Sequence, residues 1–193
     1  MATFTYRTTT SYGTWCNRVN QYSTSPDSDV VDYINGGDSD WRELLEASGL
    51  LKEIRREYRA AINAALPDSV SLSGDEFIGP AHVEDGEFDG YLTDDNGNLD
   101  LKAICEGIDL EPIVERNDPL TLEDIGRWEL KSEAKQPAKV AAAAMSRLGV
   151  KPFVYRPHPT SKRPQAIYRS GDVRKALAER PGRGTRTDLK DGK

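Results

Sequence analysis

Apolar residues recur every three or four positions through much of the first 66 residues, a repeat that predicts helices. In "SYGTWCNRVNQY", Tyr12, Trp15, Val19 and Tyr22 share one face. "SPDSDVVDYINGG" offers Ser25 as a cap, Pro26 in the first turn, acidic residues where a helix dipole favours them, and a stop at Gly36-Gly37. The strongest stripe starts at residue 38 or 39 and ends at residue 66, before Pro67. It passes through Trp41, Leu44, Leu45, Ser48, Leu51, Ile54, Tyr58, Ala61, Ile62 and Ala65, with a break or a kink at Gly49.

From residue 68 to residue 98 the helical period disappears. Gly, Asp and Pro break the chain into short alternating runs, which predict one or two short strands, around 69–72 and 87–93, joined by acidic loops. Asp94, Asn96, Asn98 and Asp100 alternate as calcium ligands do. An EF-hand loop needs Gly at its sixth position and Glu at its twelfth, and Leu99 and Cys105 stand there instead. The expected structure is an Asn96-Gly97 turn leading into a helix capped by Asn98 or Asp100. "GDEF" at 74–77 lacks the second Gly and the large domain that a cyclase signature requires.

Beyond residue 99 the units are short and regular. Leu101, Ile104, Ile108, Ile113 and Val114 are expected to be buried, on two short helices or a bent one divided near Gly107 and Pro112. In "LTLEDIGRWEL", Thr121 and Asp124 have capping-box spacing, and Leu122, Ile125 and Trp128 are expected to face inward. "SEAKQPAKVAAAAMSRLGV" predicts a third helix with Pro137 in its first turn and Gly149 as its C-terminal cap; Val140, Ala144, Met145 and Leu148 form its packed side. Phe153 and Tyr155 alternate on one arm of a predicted hairpin, Ala166 and Tyr168 on the other. The connection "RPHPTSKRP" gives that hairpin a basic tip with Arg156, Lys162 and Arg163. A last helix brings Val173, Ala176 and Leu177 back to the core. The fold class is mainly α with short β elements, α+β.

Composition sharpens this picture. The 193 residues allow one large domain or two small ones, and 37% hydrophobic with 30% charged residues means a modest core under a heavily solvated surface. The net charge of −6 hides a split. Residues 1–67 carry 7 basic and 9 acidic side chains, residues 68–130 carry 3 and 18, and residues 131–193 carry 16 and 5. The last segment, net +11, is suited to neutralising phosphates or to pairing internally with the acidic middle. "RREYR" at 55–59 is either a second basic contact or the solvated side of its helix, shared with Glu53 and Glu57.

Candidate chemistry is sparse. Cys16 and Cys105 lie far apart with no C-x-x-C spacing and are expected to be small buried hydrophobes. His82 and His158 lie near prolines in loops and are expected to be solvated. No nucleophile elbow, P-loop or dinucleotide fingerprint occurs. No enzymatic activity, metal or cofactor is expected. No apolar run approaches the roughly 20 residues that span a bilayer, and the first residues lack a secretory h-region, so a cytoplasmic protein without membrane partners is expected.

The order helix, helix, helix, basic hairpin, helix over residues 120–180 resembles a winged helix-turn-helix DNA-binding domain. "LTLEDIG" resembles the first helix of the turn motif, "AKVAAAAMSRLGV" the recognition helix, and "RPQAIYRSGDV" the return strand of the wing. The linker "RWELKSEAKQP" is longer than the usual turn. Pattern and charge place a helical and acidic accessory domain at 1–98 before the winged domain at 99–182 and a flexible basic tail at 183–193 after it. The resemblance implies double-stranded DNA as partner and a regulator of transcription or of a phage or mobile element. Lys135, Gln136, Lys139, Ser146 and Arg147 would surround the alanines of the recognition helix, Gln and Arg reading base edges while Lys and Ser meet phosphates. Arg156, Lys162, Arg163 and Arg169 would serve from the wing. The alternative is a protein-binding adaptor, or a DNA mimic, that works through the acidic 68–130 segment.

Overall fold

The structure, a computed structural model, describes residues 5–8, 26–73, 76–79, 86–95 and 97–180. The expected helix with Tyr12, Trp15, Val19 and Tyr22, the cap at Ser25, Cys16, His82 and the basic tail lie outside these residues. The fold is mixed α+β. Backbone proximity divides the chain into two compact units, Met1–Glu115 and Arg116–Lys193.

The first unit is built around one long helix. Strand β1 (Thr5–Thr8) precedes α1 (Pro26–Asn35), α2 (Ser39–Ser48) and α3 (Leu50–Ala65). Asp38 caps α2 by accepting from Asp40 N at 2.9 Å. The continuous stripe read from sequence is broken at Gly49, whose φ of 83° ends α2 and lets α3 start in a new direction. Leu50, Ile54, Tyr58 and Ile62 then form the buried stripe of α3. Strands β2 (Ser71–Ser73) and β3 (Glu76–Gly79) complete a sheet in which β3 is central, parallel to β1 and antiparallel to β2. Asn63 ties α3 to this sheet: its Oδ1 accepts from Leu72 N at 2.7 Å, and its Nδ2 donates to Leu72 O at 3.0 Å.

The strand expected at 87–93 does not form. Residues 86–91 fold as successive turns, with Asp89 N donating to Gly86 O and Tyr91 N to Phe88 O, and those groups are lost to a ladder. Only Thr93 bridges, to Leu99, around a tight loop in which Asp94 accepts from the backbone and side chain of Asn98. Asp100 rather than Asn98 caps α4 (Leu101–Glu106), accepting from Ala103 N. A separate α5 follows (Glu111–Asn117). Leu101, Ile104, Ile113 and Val114 are buried, while Ile108 is half-buried. The boundary expected at 98/99 falls inside this unit, because Tyr58 on α3 donates to the carbonyl of Cys105 on α4.

The second unit begins its sheet with β4 (Pro119–Thr121), a strand that the sequence reading missed. Then come α6 (Leu122–Asp124), a π-helical turn (Ile125–Glu129) and α7 (Pro137–Leu148). The hairpin β5 (Val154–Pro157) and β6 (Pro164–Arg169) runs directly into α8 (Ser170–Ala178). All pairing is antiparallel in the order β4-β6-β5, so the last strand lies between the other two. Leu120, Ile125, Ala141, Met145, Tyr168 and Val173 form the core, with Leu122, Leu130, Ala144, Leu148, Ala166 and Leu177 packed around it. The capping box is present: Thr121 Oγ1 accepts from Asp124 N, and Asp124 accepts from Thr121 N.

Two inward residues need correction. Trp128 is 72% exposed. The π turn is the reason: Leu130 N bonds to Ile125 O, one residue beyond the α pattern, so the next core position after Ile125 is Leu130. Val140 is 39% exposed, because the buried row on α7 is Pro137, Ala141 and Met145, at intervals of four, with Ala144 and Leu148 beside it.

Candidate nucleic-acid interface

Helix α7 owes its position to close packing. A Cβ on Gly126 would stand 2.4 Å from the carbonyl oxygen of Pro137, so the π turn meets the start of α7 backbone to backbone. Pro137 itself needs no N–H partner at that position. At the far end Gly149 caps the helix at φ 71°, its N–H shared between the carbonyls of Met145 and Ser146. The π turn is held from the other side as well, where Glu129 accepts from Arg174 of α8 at 3.0 Å.

The alanine run divides between two environments. Ala141 is fully buried and Ala144 half-buried, while Ala142 and Ala143 are exposed with Lys139, Ser146 and Arg147. Helical spacing places Lys139, Ala142, Ala143 and Ser146 opposite the Pro137–Ala141–Met145 row, with Arg147 at their flank. Lys135 and Gln136 are exposed in the segment that enters the helix. Gln136 stands at the N-cap position without using its side chain there. A shallow groove of about 530 Å³ runs along this helix, lined by Leu130, Lys139, Val140, Ala143, Ala144, Arg147 and Arg180. It gathers three cations and no carboxylate. Arg180 follows the last helix, where nothing in its sequence setting links it to α7.

The hairpin carries fewer of the expected residues at its tip. Lys162 and Arg163 are exposed there, and Lys162 adopts φ 56°. Arg156 is not at the tip. It lies half-buried within β5, paired with Gln165 across the ladder, because the strand continues to Pro157. Arg169 is farther still, at the opposite end of β6, paired with Pro119 and at the start of α8. The tip has an organiser that sequence reasoning took for a solvated histidine. His158 Nδ1 accepts from Thr160 N at 3.1 Å and Ser161 N at 3.3 Å, while its backbone closes the loop with Arg163 and Lys162.

Other titratable groups are few. Burial pushes the Cys105 thiol up to about 12, so it stays protonated at neutral pH. Burial also raises Tyr168, with Tyr155 nearby adding to it. Among the described residues no three His, Cys, Asp or Glu side chains gather as a metal site would need, and no helix is long and apolar enough to cross a membrane. Comparison of the chain with protein-family models, curated proteins and solved structures gives no match.

Proposed function

We propose that the second unit is a winged helix-turn-helix that binds double-stranded DNA, and that the protein is a non-enzymatic regulator of transcription or of a phage or mobile element. The observation that carries this reading is the strand order β4-β6-β5 around the α6–α7 pair. The strand before the helix pair is bonded to the strand after it, so the hairpin becomes a rigid extension of the layer that holds α7. Two basic elements, the outward face of α7 and the tip with Lys162 and Arg163, thereby belong to one small body. The α7 face has the composition of a groove-reading helix: small side chains that permit close approach, with Lys139 and Arg147 beside them.

Fluorescence anisotropy with labelled duplex DNA, from low to moderate salt, tests the reading. Binding is expected to fall steeply with salt, because cations displace the DNA counterions. Replacing Lys162 and Arg163 with Ala should weaken binding to all duplexes alike and lower the salt slope by up to about 2. Arg147→Ala should cost about 1–3 kcal/mol and fall hardest on the preferred sequence, if this side chain reads a guanine. No binding at low salt would overturn the proposal.

A further inference from the structure

The first unit is acidic, yet half of its eight Lys and Arg side chains fall on one stretch of one helix. Of the six Lys and Arg between residues 29 and 115 (Arg42, Lys52, Arg55, Arg56, Arg59 and Lys102), four lie within eight residues of α3. All four line a groove of about 480 Å³, together with Ala60 and Asn63. Two features suit this groove to a chain-like anion. Its cations are spread over two helical turns, about 10 Å along the axis at 1.5 Å per residue, so it addresses several charges in a row rather than one. Its lining is partly fixed: Ala60 is small, and Asn63 is held by its paired bonds to Leu72. Arg56 is held by Glu53 at 2.7 Å while remaining 66% exposed, so its guanidinium keeps donors for a ligand.

We propose that this α3 groove binds the phosphodiester backbone of DNA and gives the protein a second contact, outside the unit that carries α7. In a unit of net negative charge such a contact is local: the excess of carboxylates disfavours a duplex elsewhere, which makes the groove a register point rather than a general polyanion surface. The proposal shares with the previous reading only the identity of the ligand.

The test uses the full chain in four forms: unaltered, Lys52→Gln with Arg56→Gln, Lys52→Arg with Arg56→Lys, and Lys139→Ala with Arg147→Ala. Duplex affinity is measured against salt for each, and circular dichroism establishes that each is folded. The α3 variant is expected to lower the salt slope by about 2, one unit per lost phosphate contact. The charge-keeping exchange Lys52→Arg with Arg56→Lys should restore the slope. Unaltered affinity and slope in the α3 variant, with loss in the α7 variant, overturn this proposal and leave the winged-helix reading standing. Loss in the α3 variant alone supports this proposal and sinks the other. No duplex binding by any form overturns both. Sedimentation with phosphatidylserine vesicles completes the test: binding to vesicles but not to duplex assigns the groove to a membrane surface and overturns the nucleic-acid assignment.

Discussion

Single side chains set conditions that the fold obeys. Asp29 is half-buried on α1, where desolvation raises its pKa above 3.8; the Tyr58 hydroxyl, donating at 3.2 Å, works against this, and Asp32 and Glu106 add to it. A carboxyl whose folded value is raised favours the folded state below its unfolded pKa, and that contribution is lost as pH rises through the folded value. At neutral pH the charged form is therefore a burden. Asp29→Asn keeps an acceptor for Tyr58 and should raise the melting temperature at neutral pH, with the gain shrinking towards zero as pH falls below 3.8. An equal gain at both pH values would show that the charge is not the cause. His158 acts through geometry instead. Replacing it with Ala removes the acceptor for two loop amides, so Thr160 and Ser161 should exchange their amide hydrogens faster, while Asn, which also accepts, should retain much of the protection. Hydrogen exchange followed by NMR reads both variants. The role of His158 was hidden in the sequence because it depends on a loop closure that periodicity cannot show.

Elements were legible where a stop signal coincided with a period. Gly49 within the long apolar stripe, Pro137 and Gly149 around α7, and the Thr121–Asp124 spacing all correspond to observed helix ends. Legibility failed where hydrogen bonding departs from the α or β repeat. The π turn moved the inward position from Trp128 to Leu130, and three-residue β4 is too short to show alternation. Arg156 is expected at the hairpin tip, but β5 continues to Pro157 and places it along the strand. The contact between Gly126 and Pro137 gives a direct test of how α7 is seated. Gly126→Ala puts a Cβ against backbone atoms at 2.4 and 2.5 Å, which cannot move without shifting the helix. Overpacking of this kind costs about 1–3 kcal/mol. A melting temperature unchanged by circular dichroism would mean that α7 is not held there.

At the scale of the whole molecule, charge and packing follow different boundaries. The sharp change of charge lies near residue 130, whereas the compact units meet at Glu115 and Arg116. The acidic stretch therefore contributes β4, α6 and the π turn to the basic unit, and their acidic groups act locally, as Asp124 does in a capping box and Glu129 does with Arg174. Each unit owns a core: one centred on Leu50, Ile54 and Ile62, the other on Ile125, Met145 and Val173. Separate cores predict separate cooperativity. Scanning calorimetry of the full chain should give a calorimetric enthalpy larger than the van't Hoff enthalpy of a single transition; a ratio of one would show that the chain melts as one body.

The π turn also has a bearing on chain length. It accommodates one residue more than an α turn between Ile125 and Leu130, and Trp128, inside it, has its side chain in solvent. Removing a residue from a helix ordinarily rotates everything that follows by about 100° and ruins the packing. Here excision of Trp128 would place Leu130 four residues after Ile125, the spacing at which an ordinary α-helix keeps both on one face. The shortened chain is expected to fold with a melting temperature near that of the parent, whereas excision of the exposed Ala142 from the regular α7 should unfold the second unit. This stretch of the protein would thus tolerate a change of length that its neighbouring helix could not.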